Sequence, residues 1–177
     1  MSKYKQLFFI LFLISNITLF GQNLEELKSQ AFIDAKTTSK ATLEKDYKTV
    51  LKHTYPSIIK LMGGKDNALT TIENMFSSME SQGFVFERAE ILDVSDVVKE
   101  QNQYRCYVEG FNQMTMSGQR ISSKSYLLGI YSETEKIWYF LEAKQLKNHT
   151  MIEQILPNFK TDLKIPDDEM KTTVIKD

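Results

Sequence analysis

At 177 residues, with 42% hydrophobic and 25% charged side chains, the chain suits one domain with its own core and does not read as disordered. A net charge of −1 argues against the basic stripe that nucleic acid recruits, so no nucleic-acid partner is expected. The single cysteine, Cys106, excludes an intramolecular disulfide and is expected to face the core as a small apolar residue.

Lys3 and Lys5 precede an apolar run over residues 7–14, which resumes over 17–20 and ends at Gly21-Gln22. A basic start followed by an apolar stretch too short and interrupted for a membrane span is the layout of a secretory signal peptide. Residues 1–22 are therefore expected to be a cleaved leader. The mature protein is expected to be exported, periplasmic or secreted, with no membrane span. Loss of Lys3 and Lys5 takes the basic count from 22 to 20 against 23 acids, a net charge of −3.

Asn23 with Glu26 has the spacing of a capping box, and Leu24, Leu27, Ala31, Phe32 and Ala35 then share one helical face. Thr37-Thr38-Ser39 predicts a break or bend. A second helical pattern runs through Leu43, Tyr47, Val50 and Leu51. Pro56 suits the first position of a short helix over 57–62, which Gly63-Gly64 stops. A third main helix starts at Lys65 or Asp66, carries the stripe Leu69, Ile72, Met75, Phe76 and Met79, and ends at Gly83.

Residues 84–93 read as a first strand, and 94–102 as a short edge strand and loop. Residues 103–143 are the spine of the fold. They predict three antiparallel strands joined by the turn Ser117-Gly118 and a polar loop at 132–136. Thr150 with Glu153 has capping-box spacing for a short final helix ending at Pro157. Residues 158–177 read as a solvated tail. The expected organisation is a leader (1–22), one α+β domain of N-terminal helices packed on a curved antiparallel sheet (23–157), and the tail.

No zinc, Walker, nucleophile-elbow or dinucleotide motif occurs in the sequence, so no metal or cofactor is expected. The cluster of interest is His53-Thr54-Tyr55-Pro56. One reading leaves His53 exposed and packs Tyr55 on the sheet. The functional reading puts His53 and Tyr55 at a pocket mouth lined by Tyr104, Tyr131 or Tyr139, where His53 could act as acid or base.

The order of helices followed by a bent antiparallel sheet, over residues 23–156, resembles the nuclear transport factor 2-like (cystatin-like) cone fold. The stretches 46–51, Thr54-Tyr55-Pro56, Met62-Gly63-Gly64, 125–128 and 156–159 are similar to a group of uncharacterised exported proteins from Bacteroidetes-type bacteria. The wider superfamily contains ketosteroid isomerase and dehydratases beside binding and assembly modules. The resemblance thus implies a non-enzymatic binding module for a small apolar ligand or a protein partner, or alternatively a small isomerase, dehydratase or hydrolase.

With Glu133-Thr134-Glu135 counted as a three-residue loop, one sheet face carries Tyr104, Cys106, Val108, Leu127, Tyr131, Ile137, Tyr139 and Leu141. The other carries Tyr107, Phe111, Tyr126, Leu128, Ile130, Trp138 and Phe140, with Gly110 a place for a bulge. Both faces are apolar, and the helices can cover only one. The Trp138 face is expected to pair in a homodimer through Tyr107, Tyr126, Leu128, Ile130, Trp138 and Phe140. The alternative cover is residues 158–165 folding back.

Overall fold

The computed structural model describes the backbone of residues 3–175 and the side chains of residues 23–175. The leader expected over 1–22 lies outside the described side chains. No helix among the described residues is long and apolar enough to cross a membrane.

The architecture is α+β. Helices α1 (Lys3–Leu43), α2 (Tyr47–Lys52), α3 (Pro56–Leu61) and α4 (Lys65–Ser81) precede strands β1 (Val85–Val94), β2 (Val98–Glu100), β3 (Gln103–Met116), β4 (Gln119–Ser132) and β5 (Ile137–Glu142). A 3-10 turn (Ala143–Lys147), α5 (His149–Ile155) and β6 (Glu169–Val174) complete the chain. The sheet is antiparallel, open and six-stranded, in the order β1-β3-β4-β5, with β2 added to β3 and β6 to β4. Register shifts between Phe86 and Arg88 and between Ile91 and Asp93 interrupt the β1–β3 ladder. Such irregularities increase local twist and bend the strand.

The expected break at 37–39 does not form. The Thr37, Thr38 and Thr42 hydroxyls each bond the carbonyl four residues back, at 2.9, 2.9 and 3.0 Å, so they are satisfied within the helix instead of competing with it. The face that α1 turns to the sheet is the expected one. Ala31 and Ala35 are fully buried, and with Leu27 they pack on Val94, Cys106, Val108, Trp138 and Phe140.

The β3–β4 turn is the two-residue turn expected. Ser117 and Gly118 both have positive φ, 50° and 76°, which matches the right-handed twist of the flanking strands. The β3–β4 register runs from Arg105↔Ile130 to Met116↔Gln119 without a shift, so Gly110 hosts no bulge there.

The β4–β5 loop differs from expectation. Ser132 pairs with Ile137, so the loop has four residues, 133–136, and not three. Lys136, at φ 58°, supplies the extra left-handed step. One added residue turns every β5 side chain to the opposite face. Trp138 and Phe140 therefore join Cys106 and Val108 under α1, and Trp138 is wholly buried there. Tyr139 and Leu141 move to the other face, beside Ile130 and Leu128. The expected interface assignment of Trp138 and Phe140 is corrected accordingly: both are core residues of the helix-covered face.

The second face is covered by the chain itself at its Leu128–Ile130 end. Leu128, Ile130 and Leu141 pack against Ile152, Ile155 and Leu156, with Phe159, Leu163 and Ile165 over them. This is the alternative cover, residues 158–165 folding back. Residues 169–174 are likewise no loose tail, since they form β6 along residues 119–124 of β4. The α5 cap is also corrected. Asn148, not Thr150, caps the helix, its Oδ1 accepting from the Met151 amide at 3.1 Å.

Gly129 lies where these elements meet. A Cβ there would stand 3.0 Å from Cys106 Sγ, 3.2 Å from Trp138 Cε3 and 3.3 Å from Phe140 Cε1. Gly129→Ala overpacks this layer and is expected to destabilise the protein by about 1–3 kcal/mol in urea unfolding. An unchanged midpoint would show that the layer has slack.

Candidate functional site

The residues singled out from the sequence do not all converge on one pocket: Tyr104 and Tyr131 share a cleft of about 600 Å³ with Leu27 and Gln30 of α1, Tyr139 lines a separate groove, and His53 and Tyr55 line neither. His53 is buried, and its Nδ1 lies 3.0 Å from the Trp138 carbonyl. A carbonyl oxygen only accepts, so Nδ1 carries the proton. The His53 carbonyl in turn accepts from the Phe140 amide at 2.7 Å, and the Tyr55 amide donates to the Phe140 carbonyl at 3.1 Å. His53 is thus neither exposed nor at a pocket mouth, and both sequence readings of it are corrected. It fastens the outer edge of β5 to the α2–α3 junction.

Asp34 serves the same edge. Its Oδ2 accepts from the Trp138 amide at 2.8 Å and its Oδ1 from Gln30 Nε2 at 2.7 Å. The remaining candidates divide between the faces. Tyr131 packs against Trp138 with the rings tilted by 52° at 5.4 Å, and Tyr104 packs at the same α1-covered core beneath the Lys99 ammonium. Tyr55 and Tyr139 meet edge to face at 6.3 Å on the opposite side. Among the interface candidates, Tyr107 and Tyr126 contact each other at 5.9 Å, while Leu128 and Ile130 lie beneath α5.

One groove does gather part of the junction. It encloses about 450 Å³ between α2, α3 and β5. Leu51, Pro56, Ile59 and Tyr139 line it together with Lys52, Lys60, Lys65 and Glu135. Burial, followed by the neighbouring Glu135 carboxylate, pushes the Tyr139 phenol up to about 12. Tyr139 is therefore a neutral donor at ordinary pH and no base. Cys106 has no role in a site either. Burial pushes its thiol up to about 12, the state of an inert core cysteine. Among the described residues, no group of three or more His, Cys, Asp or Glu side chains is placed to hold a metal ion.

The most highly connected polar side chain was missed in the sequence. Arg105 is 2% exposed and lies beneath the C-terminal segment. Its Nε and Nη2 donate to Gln103 Oε1 at 3.1 and 2.6 Å, Nη2 also to Gln101 Oε1 at 3.1 Å, and Nη1 to the Lys160 carbonyl at 2.7 Å. Glu100 Oε2 lies 3.4 Å from Nη1, and the Phe159 ring covers the guanidinium at 4.7 Å. Arg105 reads in sequence as an ordinary outward position of an alternating strand. Only the placement of residues 158–162 over it reveals the cluster.

No family model matches the chain, and no curated protein matches it.

Glu100 couples this cluster to pH. Burial alone would raise its pKa, but donors from the Thr161 hydroxyl and the Asp162 amide, with the Arg105 charge, outweigh burial and hold it below the usual glutamate range. A depressed folded-state pKa stabilises the fold above the unfolded value, and that contribution disappears as the pH falls through the folded value. Glu100→Gln is therefore expected to lower the melting temperature near neutrality and to have a shrinking effect as the pH drops through the carboxylate range. A wild-type-to-variant difference independent of pH would show that the Glu100 charge does not anchor the segment.

Proposed function

We propose that the protein is an exported, non-enzymatic binding module of the nuclear transport factor 2-like cone type. Its binding surface in this reading is the groove between α2, α3 and β5. The observation that carries the reading is the makeup of that groove, where Leu51, Pro56, Ile59 and Tyr139 share the lining with three lysines, Lys52, Lys60 and Lys65, and one acid, Glu135. It suits a small ligand with an apolar body and one anionic group. Export rests on the basic and apolar layout of residues 1–22, and the cone reading on the order of helices followed by a curved antiparallel sheet.

The enzymatic alternative has less support. Catalysis by proton transfer needs a titratable group inside a cleft with a hydrogen-bonded neighbour. His53 and Asp34, the buried acid-base groups nearest the junction, are both committed to the backbone of β5. Trp138, Phe140 and Leu27 fill the centre of the space between α1 and the sheet, where a cone would hold its substrate, and the carboxylates of the cleft at its end, beside Tyr104 and Tyr131, are the exposed Glu26 and Glu133.

Decanoate is a suitable probe. It is expected to shift the amide resonances of residues 59–65 and of Tyr139. Combined Lys52→Ala, Lys60→Ala and Lys65→Ala substitutions should weaken binding about tenfold, which corresponds to about 1.4 kcal/mol. Decanol, lacking the charge, should show the same loss on the unsubstituted protein. Shifts confined to other surfaces, or equal binding by all three Lys→Ala combined and wild type, would end this reading.

A sheet-mediated homodimer would need the face that α5 and residues 158–165 cover. Protein recovered from its native host is accordingly expected to begin at Asn23 by intact mass and to sediment as a monomer at micromolar concentration. An intact Met1 or Ser2 terminus in the cytoplasm would overturn export, and a dimer would overturn the reading that the chain's own segment is sufficient cover.

A further inference from the structure

The segment that covers the second sheet face is held in an unusual way. Residues 158–165 form neither helix nor strand. Their exposure alternates: Phe159, Thr161, Leu163 and Ile165 are half-buried, while Lys160, Asp162 and Lys164 are exposed. That is the period of an extended chain with one face down. Its main chain is bound by side chains and not by a neighbouring strand. The Lys160 amide donates to Gln101 Oε1 at 3.1 Å and its carbonyl accepts from Arg105 Nη1 at 2.7 Å. The Asp162 amide donates to Glu100 Oε1 at 2.8 Å, and the Asn158 carbonyl accepts from Gln101 Nε2 at 2.9 Å.

Main-chain hydrogen bonds, combined with alternate side chains entering pockets, are one way proteins recognise extended peptides. Here the main-chain bonds come from side chains in place of a strand edge. The apolar floor beneath the segment is continuous, formed by the sheet and by α5. Pro157 and Pro166 bracket the segment, which places the rigid residues just outside it.

We propose that this face is a peptide-recognition groove, occupied in cis by the chain's own strap, residues 158–165. The occupant in trans is an extended peptide with apolar side chains at alternate positions, and Arg105 and Glu100 read its main chain. This groove is distinct from the one between α2, α3 and β5.

The test loosens the strap and leaves the groove intact. Phe159→Ser with Leu163→Ser, in the full chain, is titrated with a fluorescein-labelled peptide of the wild-type sequence 157–166. The variant is expected to bind this peptide at least tenfold more tightly than the wild-type chain does, and to show no preference for it once Arg105→Ala is added. A scrambled peptide that binds equally well, or a folded variant that takes up no peptide, overturns the proposal. So does self-association of the variant without peptide uptake, which would put a second copy in the groove. Should the double substitution prevent folding, hydrogen exchange on the wild-type chain decides. Exchange of the Lys160 and Asp162 amides at least tenfold faster than those of Val108 and Leu128 supports a separable strap, and equal rates overturn it.

Discussion

Trp138 is the residue on which the rest of the structure depends. β5 ends the main order of the sheet, and an end strand presents unpaired N–H and C=O groups along one side. Here that side is closed at Trp138 and Phe140 without another strand. Asp34 of α1 takes the Trp138 amide, His53 after α2 serves its carbonyl, and the backbone of His53 and Tyr55 serves Phe140. The indole adds a further tie, with Nε1 donating to the Leu27 carbonyl at 3.0 Å. One strand edge thus fixes the position of α1 and of the α2–α3 junction together. An unsatisfied buried polar group costs about 1–3 kcal/mol, so these partners are strongly constrained to remain in place.

That constraint decides where function can sit. The most familiar acid-base residue of the junction is consumed in holding the fold, and Ala31 and Ala35 bring α1 close onto Trp138 and Phe140. The α2–α3–β5 groove lies on the outer flank of the same junction, so its floor is held by the rigid edge beneath it. On the other face, the Arg105 cluster fastens a segment that has no secondary structure of its own.

Much of this was legible in the sequence, for identifiable reasons. The β3–β4 hairpin followed from alternation and from Ser117-Gly118, a pair able to take positive φ. The α1 face followed from Leu27, Ala31 and Ala35. The helix at 65–81 followed from its apolar stripe, although only Ala68 of it is fully buried. The face of β5 was not legible, because it turned on one loop residue, Lys136, a residue type with no preference for the left-handed region. His53 and Asp34 were missed as structural groups because their partners are backbone atoms far away in sequence. The period-two pattern of Phe159, Thr161, Leu163 and Ile165 was present but masked by the intervening Lys160, Asp162 and Lys164, which read as a solvated tail.

Hydrogen exchange at Trp138 tests the central claim most directly. If its backbone amide and indole N–H are locked by Asp34 and Leu27, both exchange only through global unfolding, with the same free energy as the central amides of β3 and β4. Fast exchange at Trp138 while the centre of the sheet stays protected would contradict the account, showing that the β5 edge opens on its own and that the groove beside it has no rigid floor.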